Sequence, residues 1–89
     1  MANKQLVDSL LAACDRFDRG ELTLEGLQSA IEANGSALEG VSKSVRAKID
    51  ESTSTIENIL SCCEDQFAQG RRVTGELRSY LHEHRAAIA

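Results

Sequence analysis

Apolar residues recur along this chain at intervals of three and four positions. A period near 3.6 residues is typical of amphipathic helices, whereas strands alternate with a period of two. Proline is absent from the sequence, and glycine or Ser/Thr groups stand at a few places between the periodic segments. A chain of 89 residues has room for one modest core. We therefore predict an all-α fold in which residues 1–89 form a single helical domain.

The first two predicted helices cover about residues 3–19 and 24–34. Gly20 is predicted to end the first helix, because glycine readily adopts the left-handed conformation found after helix C-termini. Thr23 is predicted to cap the second helix. Asn34-Gly35 is predicted to stop it, although the heptad phase of the apolar residues continues across this point and leaves a continuous helix as the alternative.

Residues 37–69 contain no proline or Asn-Gly pair, and as one helix they would be about 50 Å long. Ser52–Thr55 are four poor helix formers, so the long third helix is either bent there or broken into two. A single long, bent helix is our preferred prediction. After Gly70, a last helix is predicted from residue 72 or 75 to residue 86, with Thr74 as a candidate cap.

The sequence Phe17-Asp18-Arg19-Gly20 has a counterpart in Phe67-Ala68-Gln69-Gly70, and apolar residues match on both sides of the two motifs. Both motifs are predicted to end a helix with an aromatic side chain and to reverse the chain at glycine. A true internal repeat and a coincidence of helical periodicity both remain open. Either predicts two helix-turn-helix hairpins packed as an antiparallel bundle of about four helices.

Charge is distributed unevenly along the chain. The net charge is -4, and it arises entirely within residues 1–40, while the remainder is neutral. An acidic half argues against nucleic acid as a partner and suits a basic protein surface, with a solvated acidic face as the alternative. Four acids surround the turn predicted at the first Phe-x-x-Gly motif, which we call the first joint, and Tyr80 is the one aromatic residue with a polar end. The predicted partner-binding residues are therefore Asp15, Asp18, Glu21, Glu25 and Tyr80.

The three cysteines, Cys14, Cys62 and Cys63, lack the spacing of a disulfide framework. No secretory leader pattern opens the chain, and no apolar run approaches the roughly eighteen residues that span a bilayer. These features predict a cytoplasmic protein with reduced thiols and no membrane partner.

Residue types that bind metals occur at Cys62, Cys63, His82 and His84. The two histidines are two positions apart on a predicted helix and point to different faces, and adjacent cysteines do not readily bind one ion. We predict no metal site, no cofactor and no catalytic residue, and we do not expect an enzyme. A thiol- or metal-dependent sensor that uses Cys62 and Cys63 is a further alternative.

Phe17-x-x-Gly20, followed by Leu22-Thr23 and Leu27, resembles the small all-helical bacterial immunity proteins, of which the colicin D immunity type is one. The resemblance covers mainly residues 6–31. It implies a non-enzymatic protein that binds a toxic nuclease domain and blocks its basic substrate site with acidic residues. No family residue transfers position by position. A structural or regulatory homodimer, with the long third helix as its seam, is the alternative function.

Overall fold

The computed structural model describes residues 2–62 and 64–88, and it contains four helices: α1 (Asn3–Asp18), α2 (Leu24–Ala37), α3 (Lys43–Cys62) and α4 (Gln66–Ile88). Each helix packs against its neighbours in the order α1, α2, α3, α4, and α4 returns to α1. The bundle measures 37 × 23 × 20 Å. The predicted all-α bundle is confirmed. Among the described residues, no helix is both long enough and apolar enough to cross a lipid bilayer.

Contacts at both ends of the bundle show how the helices are oriented. The Asn3 side-chain amide at the start of α1 donates to the Ile88 carbonyl at the end of α4 (3.1 Å). The rings of Phe17, near the end of α1, and Phe67, at the start of α4, have their centroids 5.4 Å apart. Helices α1 and α4 are therefore antiparallel. We call the end of the bundle where α1 turns into α2 and α4 begins the joint end.

The apolar stripe of each helix faces one common core. Because burying a large aliphatic side chain stabilises a fold by about 1.5–3 kcal/mol relative to leaving it exposed, these positions provide most of the favourable free energy of folding. Their burial confirms the helical phase that the periodicity predicts. The fully buried large side chains include Leu10, Leu27, Ile31, Ile56, Leu77 and Leu81.

The first joint is built as its sequence predicts. Gly20 has a φ of +76°, a left-handed conformation that most other residues adopt only with strain. Its N–H donates to the Phe17 carbonyl (2.9 Å), which closes the end of α1. Thr23 then caps α2, because its hydroxyl oxygen accepts from the Gly26 N–H (3.0 Å).

The predicted break between the second and third helices is present, and a continuous helix across it is ruled out, but the predicted stop at Asn34-Gly35 is wrong, since α2 continues to Ala37. Gly35 is buried, and a Cβ atom on it would lie 2.5 Å from Cγ2 of Ile49. The glycine therefore lets α3 approach α2 closely. The Asn34 amide donates to the Ala30 carbonyl one turn back (2.8 Å), so it bonds within the helix and does not end it.

The predicted long third helix is also wrong in its limits. The preferred prediction that the helix continues through Ser52–Thr55 is confirmed, because these residues lie inside α3, where Ser52 Oγ donates to the Lys48 carbonyl (2.9 Å). Helix α3 has 20 residues and ends at Cys62. Asp65 then caps α4, since its carboxylate accepts from the Ala68 N–H (3.2 Å).

The two Phe-x-x-Gly motifs therefore have different structural roles. The second does not end a helix: Phe67 lies in the first turn of α4, and Gly70 lies further along the same helix. Gly70 is buried against the ring of Phe17, as Gly35 is against Ile49. Thr74 is also inside α4 and is not its cap. The last helix thus begins at Gln66, before residue 72, and the third helix is shorter than predicted at both ends, since it covers Lys43–Cys62 and not residues 37–69.

Candidate functional site

Asp18, one of the predicted partner-binding acids, lies within a polar network that joins α1 to α4. Its side chain is 19% exposed, and one carboxylate oxygen accepts from Arg78 (2.6 Å). The other accepts from the hydroxyl of the fully buried Thr74 (2.7 Å). The guanidinium of Arg71 lies 4.0 Å away. The carboxylate is thus neutralised inside the chain.

The electrostatics of this network favour the ionised carboxylate. Burial opposes ionisation, but the hydrogen bonds from Thr74 and Arg78 and the positive charges of Arg78 and Arg71 outweigh it. Together they hold the pKa of Asp18 below its ordinary value. Asp18 is therefore charged at neutral pH and contributes to the stability of the fold.

Two further acids of α1 repeat this pattern along the α1–α4 seam. Asp15 accepts a hydrogen bond from Arg78 (3.0 Å), and Asp8 accepts one from Arg85, about two helical turns further along the seam. Both acids are about half exposed, so each pair contributes only about 0.2–1 kcal/mol. Asp8 and Asp15 are seven positions apart, as are Arg78 and Arg85, so both pairs fit one register of α4 against α1. Asp15 keeps enough exposure to lie at the edge of a binding surface.

The two remaining predicted acids, Glu21 and Glu25, are more available to a partner. Glu21 is in the α1–α2 turn and pairs with Arg19 (2.6 Å) in open solvent, where the hydrogen bond and the charge of Arg19 lower the pKa of the carboxyl. Glu25 is exposed in the first turn of α2 and has no ion pair with any described residue. Acidic charge there also suits the helix dipole.

Glu32 belongs with Glu25, although sequence reasoning did not select it. It is exposed, it lies seven positions further along α2, and it forms no ion pair within residues 2–62 and 64–88. Seven residues are about two helical turns, so the two carboxylates share one face of α2. That spacing was visible in the sequence. What the sequence did not reveal is that the α1 acids, unlike these, are paired with arginines.

Phe67 lies in a different environment from the one that the sequence predicts. It was expected as an aromatic plug at the end of a helix, but 45% of it is exposed, and it is the one large exposed hydrophobic residue in the described part of the chain. Its ring leans on Phe17, and the Arg71 guanidinium lies 5.8 Å from its centroid. An exposed aromatic ring held by its neighbours is typical of interface anchors.

Tyr80, the predicted interface anchor, is half-buried on the opposite side of α4. Its ring stacks on His84 with centroids 4.1 Å apart, and Lys48 Nζ lies 5.9 Å from the ring centroid. The hydroxyl is shielded from solvent and has no hydrogen-bond partner among the described residues. Tyr80 forms one wall of an open groove of about 610 Å³ along α4, beside α3.

The cysteines offer little chemistry in the described region. Cys14 is buried, and burial raises the pKa of its thiol to about 11, so the thiol stays protonated and unreactive at neutral pH. Cys62 is exposed and donates to the Asn58 carbonyl. Cys63, which the sensor hypothesis requires, lies outside the described residues. Within those residues, no three His, Cys, Asp or Glu side chains are grouped so that they could hold a metal ion.

No family model, no curated protein and no solved structure significantly matches this chain. The geometry itself defines a small four-helix bundle in which the acids of α1 pair with arginines of α4, whereas Glu25 and Glu32 on α2, like Asp50 and Glu57 on α3, are exposed and have no ion pair with a described residue.

Proposed function

We propose that this protein is a non-enzymatic protein-interaction module that binds a partner with a basic surface. The binding surface would comprise the outer face of α2, with Glu25 and Glu32, and the exposed ring of Phe67 at the joint end. The observation that carries this proposal is the separation of the acids. Those of α1 are paired with arginines of α4, whereas Glu25 and Glu32 are exposed and unpaired on one face.

Phe67 and Glu25 are at the same end of the bundle. Helices α2 and α4 both begin there, and a Cβ atom on Gly70 would come within 3.0 Å of Leu24, the residue before Glu25. An aromatic anchor provides affinity when its ring is buried by a partner, and surrounding charges of one sign increase the association rate and select a partner of opposite sign. Glu21, in the same turn region, would extend the acidic edge.

A sharper form of the proposal is an immunity or inhibitor protein that acts in the cytoplasm. The resemblance of residues 6–31 to bacterial immunity proteins implies this role, and the net negative charge of residues 1–40 is in keeping with it. The acids would then cover the basic substrate site of a toxic nuclease domain. In this form Glu21 and Glu25 contact the partner directly, Asp15 lies at the edge, and Asp18 holds α1 in place.

A homodimer with α3 as its seam has no observation in its favour. The apolar stripe of α3, including Ile49 and Ile56, is buried in the core of a single chain. A thiol- or metal-dependent sensor likewise lacks a supporting cluster among the described residues. We therefore propose neither as the function.

Affinity capture with matched charge variants tests the proposal. Three baits are compared with the wild-type chain in an extract of the source organism: Glu25→Lys/Glu32→Lys, Phe67→Ser, and the control Asp50→Lys/Glu57→Lys. The control acids are also exposed and seven positions apart, but they lie on α3. Quantitative mass spectrometry measures each protein recovered. We expect a basic protein that the wild type and the α3 control retain and that the other two baits lose by about tenfold or more.

Urea unfolding of each bait checks that the variants are folded. The proposal fails if no recovered protein depends on the α2 acids and Phe67, or if the α3 control loses the same proteins to the same extent. A recovered nuclease whose activity falls on addition of the wild-type chain would support the inhibitor form. A recovered partner without toxic activity would support the interaction module and contradict the inhibitor form of the proposal.

A further inference from the structure

The outer face of α4 forms an open groove that no described residue fills. The groove has a volume of about 610 Å³, and Lys48 of α3 forms part of its edge. The small residues Gly75 and Ser79 line part of this groove, and a Cβ atom on Gly75 would meet no other atom within 4 Å. The acids of α2 do not line this groove, although Arg71 at its start also lies 5.8 Å from the centroid of the Phe67 ring, so the groove begins beside the proposed partner site.

Charged side chains of both signs line this groove: Lys48, Arg71, Arg72, Glu76 and Glu83. Arg72 is near the start of α4 and Glu83 is near its end, and both are exposed. Eleven positions are about three helical turns, so the two side chains lie on the same face, about 16 Å apart along the helix axis. At that distance they cannot pair with each other within one chain. Neither has an ion pair with another described residue.

We propose that a second copy of this chain occupies the groove, with its α4 antiparallel to the first. In this arrangement Arg72 of each copy meets Glu83 of the other, and Glu76 lies opposite Ser79 of the second copy. A charge order that is positive at one end and negative at the other is self-complementary when one helix is reversed, which is the condition for a two-fold symmetric interface. In this register Gly75 lies opposite Tyr80 of the second copy and Ser79 lies opposite Glu76, so each small residue leaves room for a larger one.

Charge complementarity is what favours a second copy over other occupants. A uniformly acidic partner would be repelled at Glu76 and Glu83, and a uniformly basic one would be repelled at Lys48, Arg71 and Arg72. A reversed copy of α4 satisfies both ends at once. Lys48, on the rim beside Tyr80, adds a positive charge near the position that Glu76 of the second copy would take.

Sedimentation equilibrium over a range of protein concentrations tests the proposal with charge-reversed variants. The wild type is expected to show a concentration-dependent dimer. Arg72→Glu and Glu83→Arg are each expected to weaken dimerisation by about tenfold or more, because two-fold symmetry converts both attractive pairs into like-charge pairs. The stability of the monomer should not change, since neither residue has an internal ion pair, and urea unfolding checks this.

Two rescue experiments separate a real interface from a general charge effect. The double variant Arg72→Glu/Glu83→Arg should dimerise again, because the charge order is reversed on both copies. An equimolar mixture of the two single variants should form heterodimers, since two acidic positions on one chain then face two basic positions on the other. A wild type that stays monomeric at all concentrations overturns the proposal. So do single variants that dimerise like the wild type, or a failure of either rescue.

Discussion

Gly70→Ala is expected to lower the free energy of unfolding by about 1–3 kcal/mol, although alanine is the better helix former. A Cβ atom at this position would lie 2.5 Å from Cζ of Phe17 and 2.7 Å from Cε2. Phe17 is only 2% exposed, so its ring has little room to move away. The steric strain should therefore exceed the helix-propensity gain of about 1 kcal/mol. Urea denaturation followed by circular dichroism measures the change.

Gly75→Ala is the matched control for this prediction. It lies in the same helix, but its added methyl group would meet no atom within 4 Å. Only the better helix propensity of alanine then remains, so at protein concentrations where the chain is monomeric this variant should be more stable by about 0.5–1 kcal/mol. If both variants were stabilised equally, the close packing of α4 on α1 at Gly70 would be contradicted.

Asp18→Asn is expected to destabilise the fold by about 1–3 kcal/mol at pH 7, because it removes the more buried of the two carboxylates that pair with Arg78 and leaves only the half-exposed Asp15. The pKa of Asp18 is lower in the folded state than its ordinary value of 3.8. The stabilisation it provides is thus fully present above about pH 4 and is lost as the pH falls through the folded-state pKa. The difference between variant and wild type should therefore narrow in acid.

Urea denaturation at pH 7 and at about pH 2 measures both parts of this prediction. Glu21→Gln serves as the control, because its ion pair with Arg19 is open to solvent and should have no measurable effect on stability. A difference between Asp18→Asn and the wild type that stayed constant between the two pH values would contradict the role of the ionised carboxylate.

The phase of the helices and the first joint could be predicted from the sequence because both depend on local patterns. Apolar spacing identifies the buried face of each helix, as at Leu10 and Leu77. Gly20 and Thr23 are local end signals, and both work as expected. Asp65 is also a local capping signal, so the start of α4 is a feature that the sequence contains and that our prediction does not use.

The helix limits near Gly35 and Gly70 could not be predicted in the same way. In isolation a glycine indicates a helix end, but here each glycine is where a second helix packs closely, and only the tertiary fold reveals this. The same limitation applies to the acids. Asp18 meets Thr74 and Arg78, which are far away in the sequence, so its use inside the fold could not be distinguished from exposure to a partner.

The exposure of Phe67, the network at Asp18 and the outer face of α4 all follow from one feature: α4 begins at Gln66 and continues without interruption through Gly70. Native-state amide hydrogen exchange at residues 70–74 tests this most directly. These N–H groups donate within a helix if α4 is continuous, and they lie in a solvated turn if the chain reverses at Gly70. We expect strong protection at all five amides, comparable with that of residues near Leu77. Rapid exchange at residues 70–72, with protection beginning only after Thr74, would show a turn at Gly70 and contradict the structure of α4.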